Sequence, residues 1–413
     1  MSTRRRVLFC GDAIAATGFS RATHNYCWAL VAAGYDVHVL GINYPGDWYD
    51  QRTYPFKVYS CTFGGDYWGV NRIHGLAVEL RPDVVVIQQD PWNFPLYRKE
   101  LQGINIPVVG VVAVDGGNCQ GALLNWLQSV IFWTEFAHDA AKLGGFAGHA
   151  VVIPLGVDLS TYKQLDREEL RRTMLRPIFD KYGLPRDAFV VGTVGRNQPR
   201  KRFDLTLAYF AEWVHRCDVR DACLWMHSAP SGDDCYDLKM LAEYFGIKGR
   251  VLVPDPNPIY GVAEETMAKI YNLFDLYLST SLGEGWGLPI LEAMACGTPC
   301  LLPRWSALGE WAGDAAYMVE CTTSMVQPGI NTVGGVMDRA CTVAALQHVY
   351  ANPSERMLMR DRGVELARRG AYRWSDIGRR FVEQIDLTIE RWNNPTVDET
   401  MMEETVESVA ELA

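Results

Sequence analysis

The chain has 413 residues, 48 % of them hydrophobic and 21 % charged, with a formal net charge of −10. That length exceeds what one hydrophobic core usually holds and points to two domains of ordinary globular composition. The acidic balance disfavours a dedicated binder of nucleic acid or anionic membrane, although a local basic groove is compatible with it.

The N-terminus, MSTRRRVLFCGDAIAATGF, starts basic, but Asp12 cuts its apolar stretch short, unlike a signal peptide. No apolar run approaches the roughly 18 to 20 residues of a membrane span. The eleven cysteines show no CxxC pair and no zinc spacing. Cys296 and Cys300, either side of a Gly-Thr-Pro turn, read as packing residues. A reduced, cytoplasmic protein is expected, with peripheral membrane contact left open.

Short β-rich runs at 7–10, 36–40, 84–88, 108–114, 130–133 and 151–154 alternate with helical patterns. Residues 21–34, RATHNYCWALVAAG, fit a crossover helix stopped by Gly34 between two parallel strands. Charged helical residues from 159 lead into a second series of strands at 190–194, 224–227, 251–254, 276–279, 300–303 and 316–319. The expected organisation is a Rossmann-like unit over 1–158, a second over 159–371, and a closing amphipathic helix over 372–392 that packs back on the first unit. An acidic tail follows over 393–413, without Lys or Arg. Two doubly wound domains facing each other form a cleft at the carboxyl ends of their strands, where ligands bind.

Two loops of the second half are suited to phosphate. Residues 281–299, SLGEGWGLPILEAMACGTP, run from a strand through a glycine-rich loop into a helix, with Pro289 in its first turn and Gly297 at its end. The glycines allow close backbone approach, and the free N–H groups of the helix start favour an anion. Residues 189–210 form another strand, loop and helix, carrying Arg196, Arg200, Lys201 and Arg202. Arg196 and Lys201 can offer two cations to one diphosphate. Arg200 and Arg202 read as parts of a solvated basic loop.

Glu284 and Glu292 pose a choice. Two carboxylates around a reaction centre suit a glycosidase, and in one continuous helix these two would lie about 12 Å apart along the axis. Gly285, Gly287 and Pro289 rule out that helix, leaving Glu284 in the loop and Glu292 in the helix. Beside a diphosphate, carboxylates accept hydroxyl hydrogen bonds well, as with ribose in dinucleotide sites. The pattern then reads as a nucleotide-sugar site, with sugar hydroxyls on one side and ribose on the other.

These residues resemble a known family. EGWGLPILEAMACGTP is similar to the E-x7-E signature of the retaining, GT-B-fold "group 1" glycosyltransferases, and GRNQPRK to their diphosphate motif. MAKIYNLFDLYLSTS resembles the segment leading into the signature, IPLGVD (153–158) the interdomain motif, and YRWSDIG the closing helix. TGFSRATHNYCWALVAAGYDVHVLG is similar to the first loop and helix. The resemblance covers nearly the whole chain and is loosest over 45–107. It implies a GT-B fold, with 1–158 as the acceptor unit and 159–371 as the nucleotide-sugar donor unit, and a donor diphosphate held by Arg196 and Lys201. It further implies Glu284 on the transferred sugar, the backbone of Gly285, Trp286, Gly287 and Leu288 around sugar and phosphate, and Glu292 on the ribose. Gly18, with Thr17, would line the phosphates from the first domain. The family works without a metal or other cofactor, and the chain has no D-x-D motif.

Asp115 stands where the family often has a histidine; a sugar or acceptor contact and a plain Asx turn before Gly116 both fit. Residues 254–266 exceed the usual base-binding turn in length, so the nucleobase is not readable. The implied reaction is retaining transfer from a nucleotide sugar to a hydroxyl of a glycan, small molecule or protein, a donor phosphate oxygen taking the acceptor proton. A nucleotide-sugar epimerase, a phosphorylase and a non-catalytic nucleotide-sugar-binding module are the alternatives. The aromatic stretch 41–97 reads mostly as packing.

Overall fold

Short hydrophobic runs, rich in β-branched residues in the first sheet, build two parallel sheets. The computed structural model describes residues 4–14, 17–61, 65–231, 235–254 and 261–395. The first sheet holds β1 (Arg6–Asp12), β2 (Asp36–Ile42), β3 (Lys57–Ser60), β4 (Val84–Gln89), β5 (Val108–Val112), β6 (Ser129–Phe132) and β7 (Ala150–Val152). Their order is β3-β2-β1-β4-β5-β6-β7, all pairs parallel. The second holds β8 (Phe189–Val194), β9 (Ala222–His227), β10 (Val251–Leu252), β11 (Leu276–Leu278), β12 (Cys300–Pro303) and β13 (Tyr317–Val319). Its order is β10-β9-β8-β11-β12-β13, again parallel throughout. Both sheets are buried on two faces, as parallel sheets between helices must be.

Each order reverses once, between β1 and β4 and between β8 and β11. Such reversals open a crevice at the strand ends. The loops after β1, β4, β8 and β11 carry Thr17, Asp90, Arg196 and Glu284 respectively.

Several elements depart from the sequence reading. The first helix spans Gly18–Ala32 rather than starting at Arg21, because Thr17 caps it: its side chain accepts from the Ser20 N–H while Ser20 Oγ accepts from the Thr17 N–H. The short edge strand β3 was not anticipated. Neither was the antiparallel hairpin of β14 (Cys321–Val326) and β15 (Val333–Met337). The last helix spans Trp374–Asn393 and turns back onto the first domain. There Phe381 stacks on Tyr26 at 4.1 Å, and Gln384 donates to Ser129 Oγ at 2.8 Å. Of the acidic tail, 396–413 lies outside the described residues, as do 255–260 of the long turn. Among the described residues no helix is long and apolar enough to cross a membrane.

The hairpin straps the two domains together beside the cleft. Gly117 N donates to the Val333 carbonyl at 2.8 Å, and Val333 N donates back to Gly117 at 3.0 Å. From the same strand Gly335 N donates to the Leu282 carbonyl at 2.9 Å. The loop holding Asp115 and the loop holding Glu284 are thus tied to one strand.

Candidate active site

Glu284 lies 5 % exposed in the loop after β11. Its N–H donates to Ser306 Oγ at 2.9 Å. Lys201 Nζ donates to its Oε1 at 2.6 Å, and Arg200 Nη1 to its Oε2 at 3.2 Å. Burial alone would raise the carboxyl pKa, but the two cations overcome it and hold Glu284 down at about 2. Burial lowers the Lys201 pKa, and Glu284 opposes that shift.

Arg200 corrects the sequence reading. It is not solvated: its side chain is 19 % exposed and spans the cleft. Nε pairs with Asp115 Oδ2 of the first domain at 2.9 Å, and Nη1 reaches Glu284 and the Gly283 carbonyl of the second. The turn Pro199–Lys201 sends two successive cations to one carboxylate. Arg202 is not solvated either; its side chain is 12 % exposed and pairs with Asp204 at 2.7 Å. Its role is local, in a left-handed residue that starts the helix Phe203–Arg216.

Asp115 therefore belongs to an ion-paired cluster rather than to an isolated turn. Its pKa is raised, by burial first and by Glu284, with Arg200 and Lys201 opposing. The contact depends on Gly283, where a Cβ would come 1.7 Å from the Asp115 carbonyl oxygen. Only glycine lets the two backbones approach so closely.

Arg196 stays exposed at the end of β8, and its charge is felt by Asp12 across the cleft. Gly287 takes φ +95 and starts the helix Leu288–Ala295. Gly285 abuts Ala113 of the first domain, and Gly18 abuts Leu288, with a Cβ at Gly18 falling 3.6 Å from the leucine. Trp286 turns its ring inward, stacked on Trp311 at 5.4 Å. Its carbonyl accepts from Trp311 Nε1 at 2.8 Å. Glu292, 3 % exposed, accepts from the Tyr271 hydroxyl at 2.9 Å and from Arg21 Nη1 of the first domain.

Sequence reasoning missed Asp12, Arg21 and Asp90. Asp12 accepts from Thr17 Oγ1 at 2.7 Å and from Asn43 at 3.2 Å. Asp90, just past β4, has its pKa raised to about 7, by burial first and by Asp115 and Asp12, with Arg200 opposing. The available signal was position: an aspartate ending a strand at a crevice is a candidate by geometry alone.

Asp90 gives a stability prediction. Its folded pKa exceeds its unfolded value, so its contribution is fully present below about pH 4 and lost as pH rises through about 7. Asp90→Asn removes this linkage. Thermal melts will show the variant gaining on wild type between those pH values, with a constant advantage of a few degrees above them. Equal melting temperatures at pH 8 would contradict the assignment.

Residues 188–354 match the family model described as "Glycosyl transferases group 1". The chain carries a group 1 glycosyltransferase domain within a GT-B fold.

Among curated relatives of this glycosyltransferase domain is D-inositol 3-phosphate glycosyltransferase of Rhodococcus opacus (strain B4). It is 33 % identical over 174 residues, 41 % of this chain and 36 % of that protein. The enzyme of the same name from Mycobacterium leprae (strain Br4923) is 32 % identical over 217 residues, 49 % and 46 % of the two chains. The chain thus spans less than half the length of these curated relatives. The fold likeness is broader. Sucrose-phosphate synthase from Thermosynechococcus elongatus superposes with a TM-score of 0.74 at 16 % identity, over 93 % of this chain and 99 % of that one. Anabaena HepE in complex with UDP gives 0.66 at 16 % identity, over 93 % and 100 %. Identities this low speak for the fold alone.

Proposed function

We propose that this protein transfers a glycosyl group from a nucleoside diphosphate sugar to an acceptor hydroxyl, with retention of anomeric configuration. One observation carries the reading: Lys201 and Arg200 converge on an ionised Glu284 at the carboxyl end of the second sheet, opposite Asp115. Charge grows on the diphosphate as the sugar–phosphate bond breaks, and pre-aimed cations stabilise that charge in a cleft shielded from water. Arg196, Lys201 and the start of the helix Leu288–Ala295 would supply this stabilisation in the role a metal plays elsewhere.

A carboxyl held at about 2 is no proton donor at neutral pH, so Glu284 is not a glycosidase acid. It would accept hydroxyls of the transferred sugar, and Glu292 those of the ribose. The acceptor oxygen would bond to the anomeric carbon on the face the diphosphate leaves. Its proton would pass to a phosphate oxygen, and no protein nucleophile is needed. Inositol 3-phosphate, named in the relatives, is the first acceptor to test.

Asp90 and Asp115 favour a second reading, because two carboxyls with raised pKa values could exchange protons with a bound sugar, as an epimerase requires. One experiment separates the two. The protein is incubated with UDP-, ADP- and GDP-sugars, with and without acceptor, and products are read by mass spectrometry and NMR. Acceptor-dependent diphosphate release with an α-configured product from an α-configured donor supports transfer. A changed sugar without acceptor supports epimerisation. Binding with neither product leaves a nucleotide-sugar-binding module.

Gly283→Ala gives a finer test. Its methyl group will push the Asp115 loop off Arg200 and lower turnover about a hundredfold, as a displacement of about 1 Å does. Donor affinity, measured by calorimetry, will change far less. Unaltered turnover would contradict the role given to this contact.

A further inference from the structure

Glu292 is the carboxylate assigned to the ribose under the reading above, yet both of its oxygens are engaged. Oε2 accepts from the Tyr271 hydroxyl at 2.9 Å, a contact within the second domain. Oε1 accepts from Arg21 Nη1, which arrives from the first turn of the helix Gly18–Ala32 in the first domain. Arg21 does more than touch it. Its Nε pairs with Glu264 at 3.1 Å, and its guanidinium lies 5.6 Å from the centre of the Tyr162 ring. One first-domain side chain, 27 % exposed, thus reaches two carboxylates and a ring of the second.

We propose that Arg21 is a displaceable occupant of the ribose subsite and sets the affinity for the nucleotide. A ribose diol would donate to the carboxylate that Arg21 holds, and with Glu292 only 3 % exposed the diol would take the place of the guanidinium. A charge-assisted guanidinium–carboxylate bond is stronger than one from a neutral hydroxyl. Nucleotide binding therefore bears the cost of moving Arg21. Glu264, 46 % exposed at the rim, gives the released guanidinium a second partner nearer water. The same displacement loosens one tie between the domains. Donor entry and domain contact are coupled through this residue.

The proposal rests on the nucleotide-sugar reading, and the experiment tells the two apart. Wild type, Arg21→Ala and Arg21→Lys are titrated calorimetrically with UDP, ADP and GDP, and their unliganded melting temperatures are measured. If Arg21 closes the subsite in about nine molecules of ten, its removal will tighten binding about tenfold. Arg21→Lys, with a single ammonium in place of the fork, will fall between. The unliganded Arg21→Ala protein will melt lower, since Glu292 loses its cation while the nucleotide binds better. A gain in affinity together with a loss in stability is the signature expected. Unchanged or weaker affinity in Arg21→Ala, where wild type binds, overturns the role of Arg21 and leaves the nucleotide-sugar reading intact. A wild type that binds none of the three diphosphates sinks both.

Discussion

Lys201→Ala will lower acceptor-dependent release of nucleoside diphosphate by about a thousandfold, the loss expected when one pre-aimed donor to a developing anion is removed. The effect will fall mainly on kcat, since the phosphate charge that Lys201 would meet is greatest in the transition state. The fold will survive, because Glu284 keeps Arg200 as a counter-ion at 3.2 Å and its N–H keeps Ser306. The melting temperature will drop by only a few degrees. A purified Lys201→Ala protein with near-normal turnover would remove Lys201 from the mechanism.

Arg200→Met will act on both activity and stability. The substitution preserves most of the buried stem but leaves Asp115 without its ion pair and the Gly283 carbonyl without its donor. Breaking a buried pair from one side costs about 3 kcal/mol, which will appear as a clear loss in melting temperature. Turnover will fall at least a hundredfold, because the two loops that frame the cleft lose the side chain bridging them. Adding Asp115→Asn will recover much of the stability by removing the orphaned charge, without recovering turnover. If the double variant melts no higher than Arg200→Met alone, the two residues are not coupled as the geometry indicates.

The contrast between Arg200 and its neighbour shows what a sequence reveals and what it withholds. The parallel strands were legible because strands covered on both faces read as unbroken apolar runs, as in VVVIQQ and VVGVV. The start of the helix Leu288–Ala295 was legible from Gly287 and Pro289. The hairpin was not. CTTSMV is mostly exposed and its partner VGGVM is glycine-rich, so neither carries the apolar signature of a core strand. Its partner loops lie over two hundred residues away at Gly117 and some fifty away at Leu282. With the hairpin unseen, spacing along the chain did not mark Asp115 and Glu284 as neighbours; only the family resemblance set both near the transferred sugar, and Arg200 had no visible destination. Spacing ranked Lys201 above Arg200, whereas the short turn Pro199–Lys201 turns both inward. Arg21 shares the same cause, since its partners Glu264 and Glu292 lie on the other domain. Asp12 and Asp90 draw their environment mainly from burial and from neighbours within the first domain, which periodicity along the chain does not encode either.

The return of the last helix also bears on the order in which the molecule is made. Domains emerging from a ribosome usually fold as units, the N-terminal one first. Here the first domain's core includes Phe381, Ile385 and Ile389, packed with Phe9 and Tyr26. Until the closing helix has left the exit tunnel, that apolar face has nothing from its own chain to cover it. Of these two domains, the one synthesised first is thus the last to have its apolar flank covered.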